Sequence, residues 1–147
     1  MADVATILRV VEALPDDFDV IRDEATAEGV RNMAMLAMEF GAADDPYVDP
    51  GGLFAAFSDG ELAGVGGVTA QVGLAEPAMR MRRLYVRPAF RRTGVARALA
   101  GAMMQQGFQA APLLVLNAAA SAAAPPFWEA MGFERVDWDG ITHALRL

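Results

Sequence analysis

The chain has no cysteine, no lysine and a single histidine, His143. Without cysteine there is no disulfide, no thiolate metal ligand and no thiol nucleophile. One imidazole cannot supply the ligand set of a zinc site, so no metal is expected. The missing lysine removes the Gly-Lys-Ser/Thr ending by which a nucleotide-binding P-loop reaches phosphates and magnesium. No apolar run is long enough to span a bilayer. Met1-Ala2-Asp3-Val4 has neither the basic nor the apolar region of a signal peptide. These absences point to a cytoplasmic protein with no membrane partner.

What is present suffices for one domain. A length of 147 residues with 54% hydrophobic content fits a single domain spanning residues 1–147, with no internal repeat and no linker. The formal charge is −7, and its distribution is uneven. Residues 1–76 hold 15 acids against Arg9, Arg22 and Arg31, a net −12. Residues 77–128 hold no acid, yet carry Arg80, Arg82, Arg83, Arg87, Arg91, Arg92 and Arg97. Guanidinium groups bind phosphate oxygens in a bidentate fork. The acidic whole would be repelled by a long polyanion, so nucleic acid is not expected and a small polyanionic ligand fits better.

Arg91-Arg92-Thr93-Gly94-Val95-Ala96 is the most informative run. It follows a strand-like segment and opens a helix-like one, Val95 to Gln106. Backbone N–H groups at a helix N-terminus lack intrahelical partners, and the helix dipole adds partial positive charge there. The loop therefore reads as a phosphate or pyrophosphate site.

Thr6 to Val11 reads as an opening strand. Pro15-Asp16-Asp17 starts a helix that Gly29 ends, and Val30 to Phe40 is a second helix. Leu53 to Phe57 and Glu61 to Val72 form a hairpin around Ser58-Asp59-Gly60, with Gly64, Gly66 and Gly67 marking a bulge or a close backbone approach. Ala78 to Arg87 is a strand ended by Pro88. After the Val95 to Gln106 helix, Pro112 to Leu116 is a short buried strand. Phe127 to Met131 is a helix, Pro125-Pro126 fitting its first turn. Phe133 to Trp138 and Ile141 to Leu147 make a last hairpin around Asp139-Gly140. The sum is a mixed α/β layer protein.

These residues resemble the GNAT superfamily of acyl-CoA-dependent N-acyltransferases. Its phosphate loop, Q/R-x-x-G-x-G/A, is matched by Arg91 to Ala96. Arg83-Leu84-Tyr85-Val86-Arg87-Pro88 is similar to the family's central strand. Phe127-Trp128-Glu129-Ala130-Met131-Gly132-Phe133 is similar to a second signature, an aromatic pair followed by Gly-Phe. The two signatures stand in family order across nearly the whole chain. The resemblance implies a mostly antiparallel central sheet with helices on both faces, splayed between the strands ending at Arg87 and Leu116.

It also implies roles. The backbone of Leu84, Tyr85 and Val86 would bind the pantetheine arm of acetyl-CoA. The backbone of Arg92, Thr93, Gly94, Val95 and Ala96 would hold the pyrophosphate, with the Arg91 and Arg92 side chains nearby. Asn117 reads equally as a pantetheine ligand and as a turn or cap residue. The Val86 N–H would stabilise the oxyanion. The expected activity is acetyl transfer from acetyl-CoA to an amine of a small molecule or peptide, and a homodimer is left open. Two positions depart from the pattern. Trp128 stands where many members have a tyrosine acting as general acid, so it is expected to pack against the cofactor. Arg80 stands where many carry a glutamate; it cannot act as a base but could bind a carboxylate or phosphate on the acceptor. Candidate bases are Glu39, Asp45 and His143, with Asp44 and Asp49 nearby; as a group the acids suggest a cationic acceptor. The alternative is a catalytically weak acyl-CoA-binding regulatory or partner-binding module.

Overall fold

The computed structural model describes residues 5–147; the reading made on Met1 to Val4 lies outside them. Seven strands form one open sheet in the order β1-β2-β3-β4-β5-β7-β6. They are β1 (Thr6–Val10), β2 (Gly52–Ser58), β3 (Glu61–Gln71), β4 (Ala78–Val86), β5 (Leu113–Leu116), β6 (Glu134–Trp138) and β7 (Ile141–Arg146). Four α-helices accompany them: α1 (Phe18–Ala27), α2 (Asn32–Glu39), α3 (Val95–Ala110) and α4 (Ala124–Ala130). Every strand pair is antiparallel except β4 with β5. The mixed sheet expected from the sequence is the one observed.

Alternation along the strands sends side chains to two cores. On one face α1 and α2 bury Phe18, Ile21, Ala25, Met33 and Leu36 against Leu53, Ala55, Val65 and Tyr85. On the other, α3 and α4 bury Ala100, Met103 and Trp128 against Val68, Met79, Met81 and Leu114. Each large apolar side chain so removed from water contributes about 1.5–3 kcal/mol.

Two local differences from the sequence reading have physical causes. Helix α3 runs a full turn past Gln106, through Gly107, to Ala110. Gly107 is a packing residue inside the helix: a Cβ there would lie 2.6 Å from the Leu114 Cδ2. Pro88 ends β4 as expected, but the chain then makes a 3-10 turn, Pro88–Phe90, before the loop. Proline at the first position suits such a turn, because its fixed φ is preorganised and its missing N–H is not needed.

β4 carries the irregularity that shapes the site. Gly64 pairs with Val86 and Val65 with Tyr85, but Gly67 pairs with Arg82. Arg83 and Leu84 therefore face the single residue Gly66, a bulge with its extra residues on β4. Arg83 takes φ 58° there, a left-handed conformation that costs a non-glycine residue roughly 1–2 kcal/mol. β4 and β5 pair only through Ala78↔Leu113, Met79↔Leu114 and Arg80↔Val115. Beyond Arg80 they part, and β4 runs six residues further alone on that side.

Candidate active site

The loop after β4 sits at the open end of this gap. Arg92 has φ 64° and Gly94 has φ 88°, with Thr93 between them at negative φ. Such alternation turns successive N–H groups toward one concavity. Gly94 caps α3 without a side-chain hydrogen bond, so the first N–H groups of the helix have no side-chain acceptor. A Cβ built on Gly94 meets nothing within 4 Å, so the ground before the loop is open to a ligand. Thr93 turns its hydroxyl onto the Phe90 carbonyl oxygen, bracing the loop. Val95 is buried, anchoring α3, and Ala96 is half-buried.

The neighbouring strand offers a second feature. The Arg87 N–H donates to the Ala63 carbonyl at 2.9 Å, across to β3. By alternation, the N–H of Val86 points away from β3, toward the side from which β5 has parted. The Leu84 carbonyl accepts a hydrogen bond from Asn32 Nδ2 at 3.3 Å. The fold thus brings Leu84, Tyr85, Val86 and the Arg91 to Ala96 loop together at one end of the split sheet. An elongated ligand with a polar arm and a phosphate group fits this layout: a strand edge for the arm, and uncapped amides with arginines for the anion.

The arginines divide. Arg83 forks onto Glu39, Nε to Oε1 at 3.1 Å and Nη2 to Oε2 at 2.9 Å. Arg87 forks onto Glu24 at 3.0 Å through both nitrogens. Arg91 forks onto Glu28 at 2.9 and 2.6 Å, and its Nε donates to the Val86 carbonyl at 3.1 Å. The hydroxyl of Tyr85 also donates to Glu28. Hydrogen bonds from Arg91 and then Tyr85 hold the Glu28 carboxyl below its ordinary pKa. Burial pushes Glu39 upward, but Arg83, Tyr47 and Arg82 outweigh it and leave the group below its ordinary value. Arg92 and Arg97 have no ion-pair partner among the described residues. The sequence reading pointed the arginine-rich stretch toward a small polyanionic ligand; in the structure three of its members pair instead with Glu24, Glu28 and Glu39 of the N-terminal helical layer. A signal for this was present: Glu24 and Glu28 are four residues apart, as are Arg87 and Arg91, so two rows meet in register.

The remaining candidates are placed as follows. Tyr47 donates to Glu39 at 2.7 Å, which occupies that carboxylate further. Asp45 accepts from the Gly41 and Tyr47 N–H groups, both at 2.7 Å, and so folds its own loop. His143 is 2% exposed. Thr142 Oγ1 accepts from the Ala118 N–H at 2.9 Å and lies 2.8 Å from His143 Nδ1. On its other side Nε2 donates at 2.8 Å to the Glu129 carboxylate, which can only accept, so both ring nitrogens are engaged. Arg135 completes the network on Glu129 at 2.9 Å. The hydrogen bond from His143, then the charge of Arg135, hold Glu129 below its ordinary pKa. Asn117 is exposed just after β5, with Oδ1 on the Ala119 N–H at 2.9 Å and Nδ2 on the Gly140 carbonyl at 3.2 Å. Trp128 is 7% exposed and packs edge-on between Phe127 and Phe133, with centroids 5.1 and 5.3 Å away.

Comparison with known proteins agrees with this layout. A family model for the acetyltransferase (GNAT) domain matches residues 19–146. The chain belongs to that family. Among solved structures, one from Exiguobacterium sp. 255-15, assigned as an acetyltransferase, is 28% identical; the match covers 97% of this chain and 93% of that one, with a TM-score of 0.86. Aminoglycoside N-acetyltransferase AAC(6')-Iy, solved with CoA, shares the fold at 18% identity over 90% and 94% of the two chains, TM-score 0.68. The NatC complex bound to Gag peptide and CoA shares it at 13% identity over 97% and 98%, TM-score 0.73. No curated protein matches the sequence. Among the described residues no helix is long and apolar enough to cross a membrane.

Proposed function

We propose that residues 1–147 act as one domain that transfers an acetyl group from acetyl-CoA to an amine of a small molecule or peptide by direct attack. The observation that carries the reading is the coincidence, at one end of the sheet, of the parted β4 and β5 with the uncapped loop at Gly94. Acetyl-CoA, when bound, supplies an acetyl thioester open to attack by an amine. The N–H groups from Arg92 to Ala96 hold its pyrophosphate, helped by the unpaired Arg92 guanidinium. The backbone of Leu84 to Val86 lines its arm, and the outward Val86 N–H is the hydrogen-bond donor for negative charge developing in the gap.

An alkyl amine with a pKa of about 10.4 is a free base only about once in a few thousand molecules at neutral pH. Its proton must therefore leave. Glu39, Asp45 and His143 are all engaged by other groups, so the proton passes to water in the gap. The same observation favours a second reading: a catalytically weak acyl-CoA-binding module. Trp128, buried between two phenylalanines, offers no acid to a departing thiolate. A thiol of pKa about 8.5 leaves adequately without one, which keeps the enzyme ahead.

Thermal stability measured with increasing acetyl-CoA tests both. The wild type is expected to be stabilised, and Gly94→Glu, which sets a carboxylate before the loop, is expected to lose that response. Absence of a shift in the wild type would remove both readings. A shift surviving in Gly94→Glu would remove the loop assignment. Release of free CoA with a panel of amines then separates enzyme from binding module.

A further inference from the structure

Met79 and Met81 pack into the α3 core, so Arg80 and Arg82 point to the opposite face, the one that α1 and α2 cover. The bulge then adds a third cation: Leu84 returns to the α3 side beside Gly66, while Arg83 joins Arg82 in reaching toward Glu39 on α2. Arg80, Met81, Arg82 and Arg83 line a cleft of about 160 Å³ whose far wall is Asn117, where β5 ends. That volume holds roughly five waters, enough for a carboxylate or phosphate head.

The charges in this cleft do not balance. Among the described residues Glu39 is the one acid paired with its arginines. It is taken by the Arg83 fork and lies 3.9 Å from Arg82 Nη1. The Arg82 Nε is buried with no hydrogen-bond partner. Arg80 meets only neutral acceptors, Gln71 Oε1 at 3.2 Å and the Gly140 carbonyl at 3.4 Å. Partial burial, then the charges of Arg82 and Arg83, push the Arg80 guanidinium down from its ordinary pKa, the mark of a cation short of a counter-charge. Half-buried guanidinium groups with unused donors are a receptor for an oxyanion. The cleft opens where β4 and β5 part, on the strand that runs on to Val86.

We propose that the acceptor amine carries an oxyanion, a carboxylate or a phosphate, seated between Arg80 and Arg82. This rests on the acetyltransferase reading and specifies its substrate class. It reverses the cationic acceptor suggested by the acids of the sequence, because two of them, Glu39 and Asp45, are engaged by other groups. Polycationic amines are repelled.

The test compares four acceptors: ethanolamine, β-alanine, phosphoethanolamine and 1,3-diaminopropane. Free CoA release is measured with wild type, Arg80→Gln, Arg82→Gln and Arg80→Glu. In the wild type kcat/KM for β-alanine or phosphoethanolamine is expected to exceed that for ethanolamine at least tenfold, mostly through KM, with the diamine lowest. Which of the two leads tells carboxylate from phosphate. Either glutamine variant shrinks the preference toward unity, and Arg80→Glu moves it toward the diamine. Calorimetric titration of the same compounds into the CoA-loaded protein reads the preference without turnover. A wild type that binds acetyl-CoA but prefers ethanolamine or the diamine, or binds no anionic compound, overturns the proposal. So does a preference that survives in both glutamine variants. A wild type that fails to bind acetyl-CoA defeats the underlying reading instead.

Discussion

Arg83, Arg87 and Arg91 each meet a carboxylate from α1, its C-terminal cap or α2, whereas Arg80, Arg92 and Arg97 meet none among the described residues. The two sets come from one acid-free stretch of sequence and share one residue type. What separates them is position. The first set lies under the two N-terminal helices, where Glu24, Glu28 and Glu39 descend onto β4 and the loop after it. The second lies where β4 parts from β5 or where α3 begins. The first set ties the helical layer to the sheet, and the second is left with unused donors facing solvent and cleft. An arginine-rich segment thus carries two functions that composition alone cannot separate.

The largest expected effect is on the paired set. Glu39→Ala removes both acceptors of Arg83, which is 16% exposed, and the acceptor of Tyr47. Leaving these donors unpaired costs about 2–3 kcal/mol, or a Tm drop of roughly 5–10 °C for a chain of this size. Acetyl-CoA affinity, read by calorimetry, should stay within about twofold. A Tm within a degree of the wild type would show that the paired arginines hold nothing together.

A smaller and opposite effect is expected from the unpaired set. Arg92→Gln touches no partner, so apo stability should change by less than about 0.5 kcal/mol. If Arg92 contacts the pyrophosphate, affinity for acetyl-CoA falls roughly tenfold, about 1.4 kcal/mol. Raised salt should weaken wild-type binding and narrow the gap between the two proteins, because screening acts on exposed charge. A variant that loses stability and keeps its affinity would invert the comparison.

Much of this was legible in the sequence because it is local. Asp59-Gly60 marks its hairpin by turn chemistry, and both residues take positive φ. Pro125 and Pro126 mark the first turn of α4. The Arg91 to Ala96 loop is legible because it needs only glycine and a following helix. What was not legible depends on partners distant in sequence. The last turn of α3, beyond Gln106, includes Gly107, whose place in the helix is set by Leu114 packed against it. Trp128 reads as a cofactor neighbour, while its ring lies between Phe127 and Phe133. The β3 glycines announced the bulge, but not that Arg83 would be its left-handed residue with its guanidinium on Glu39, 44 residues earlier in the chain.

The mildest prediction uses protons to probe the same division. The Glu28, Glu39 and Glu129 carboxyls are all held below their ordinary value of 4.5. A carboxyl lowered by folding binds its proton more readily when unfolded. Its contribution is therefore complete above pH 4.5 and is lost as pH falls through the lower, folded pKa. Tm should hold steady from neutrality to about pH 5 and then decline. Because Arg83 is one cause of the shift at Glu39, Glu39→Gln should begin from a lower Tm and decline less steeply. Arg92→Gln should follow the wild-type curve in parallel, since Arg92 has no carboxylate to lose. Matching slopes for wild type and Glu39→Gln would place the acid sensitivity in the other lowered carboxyls, Glu28, Glu129 and the Arg146-bonded Glu76.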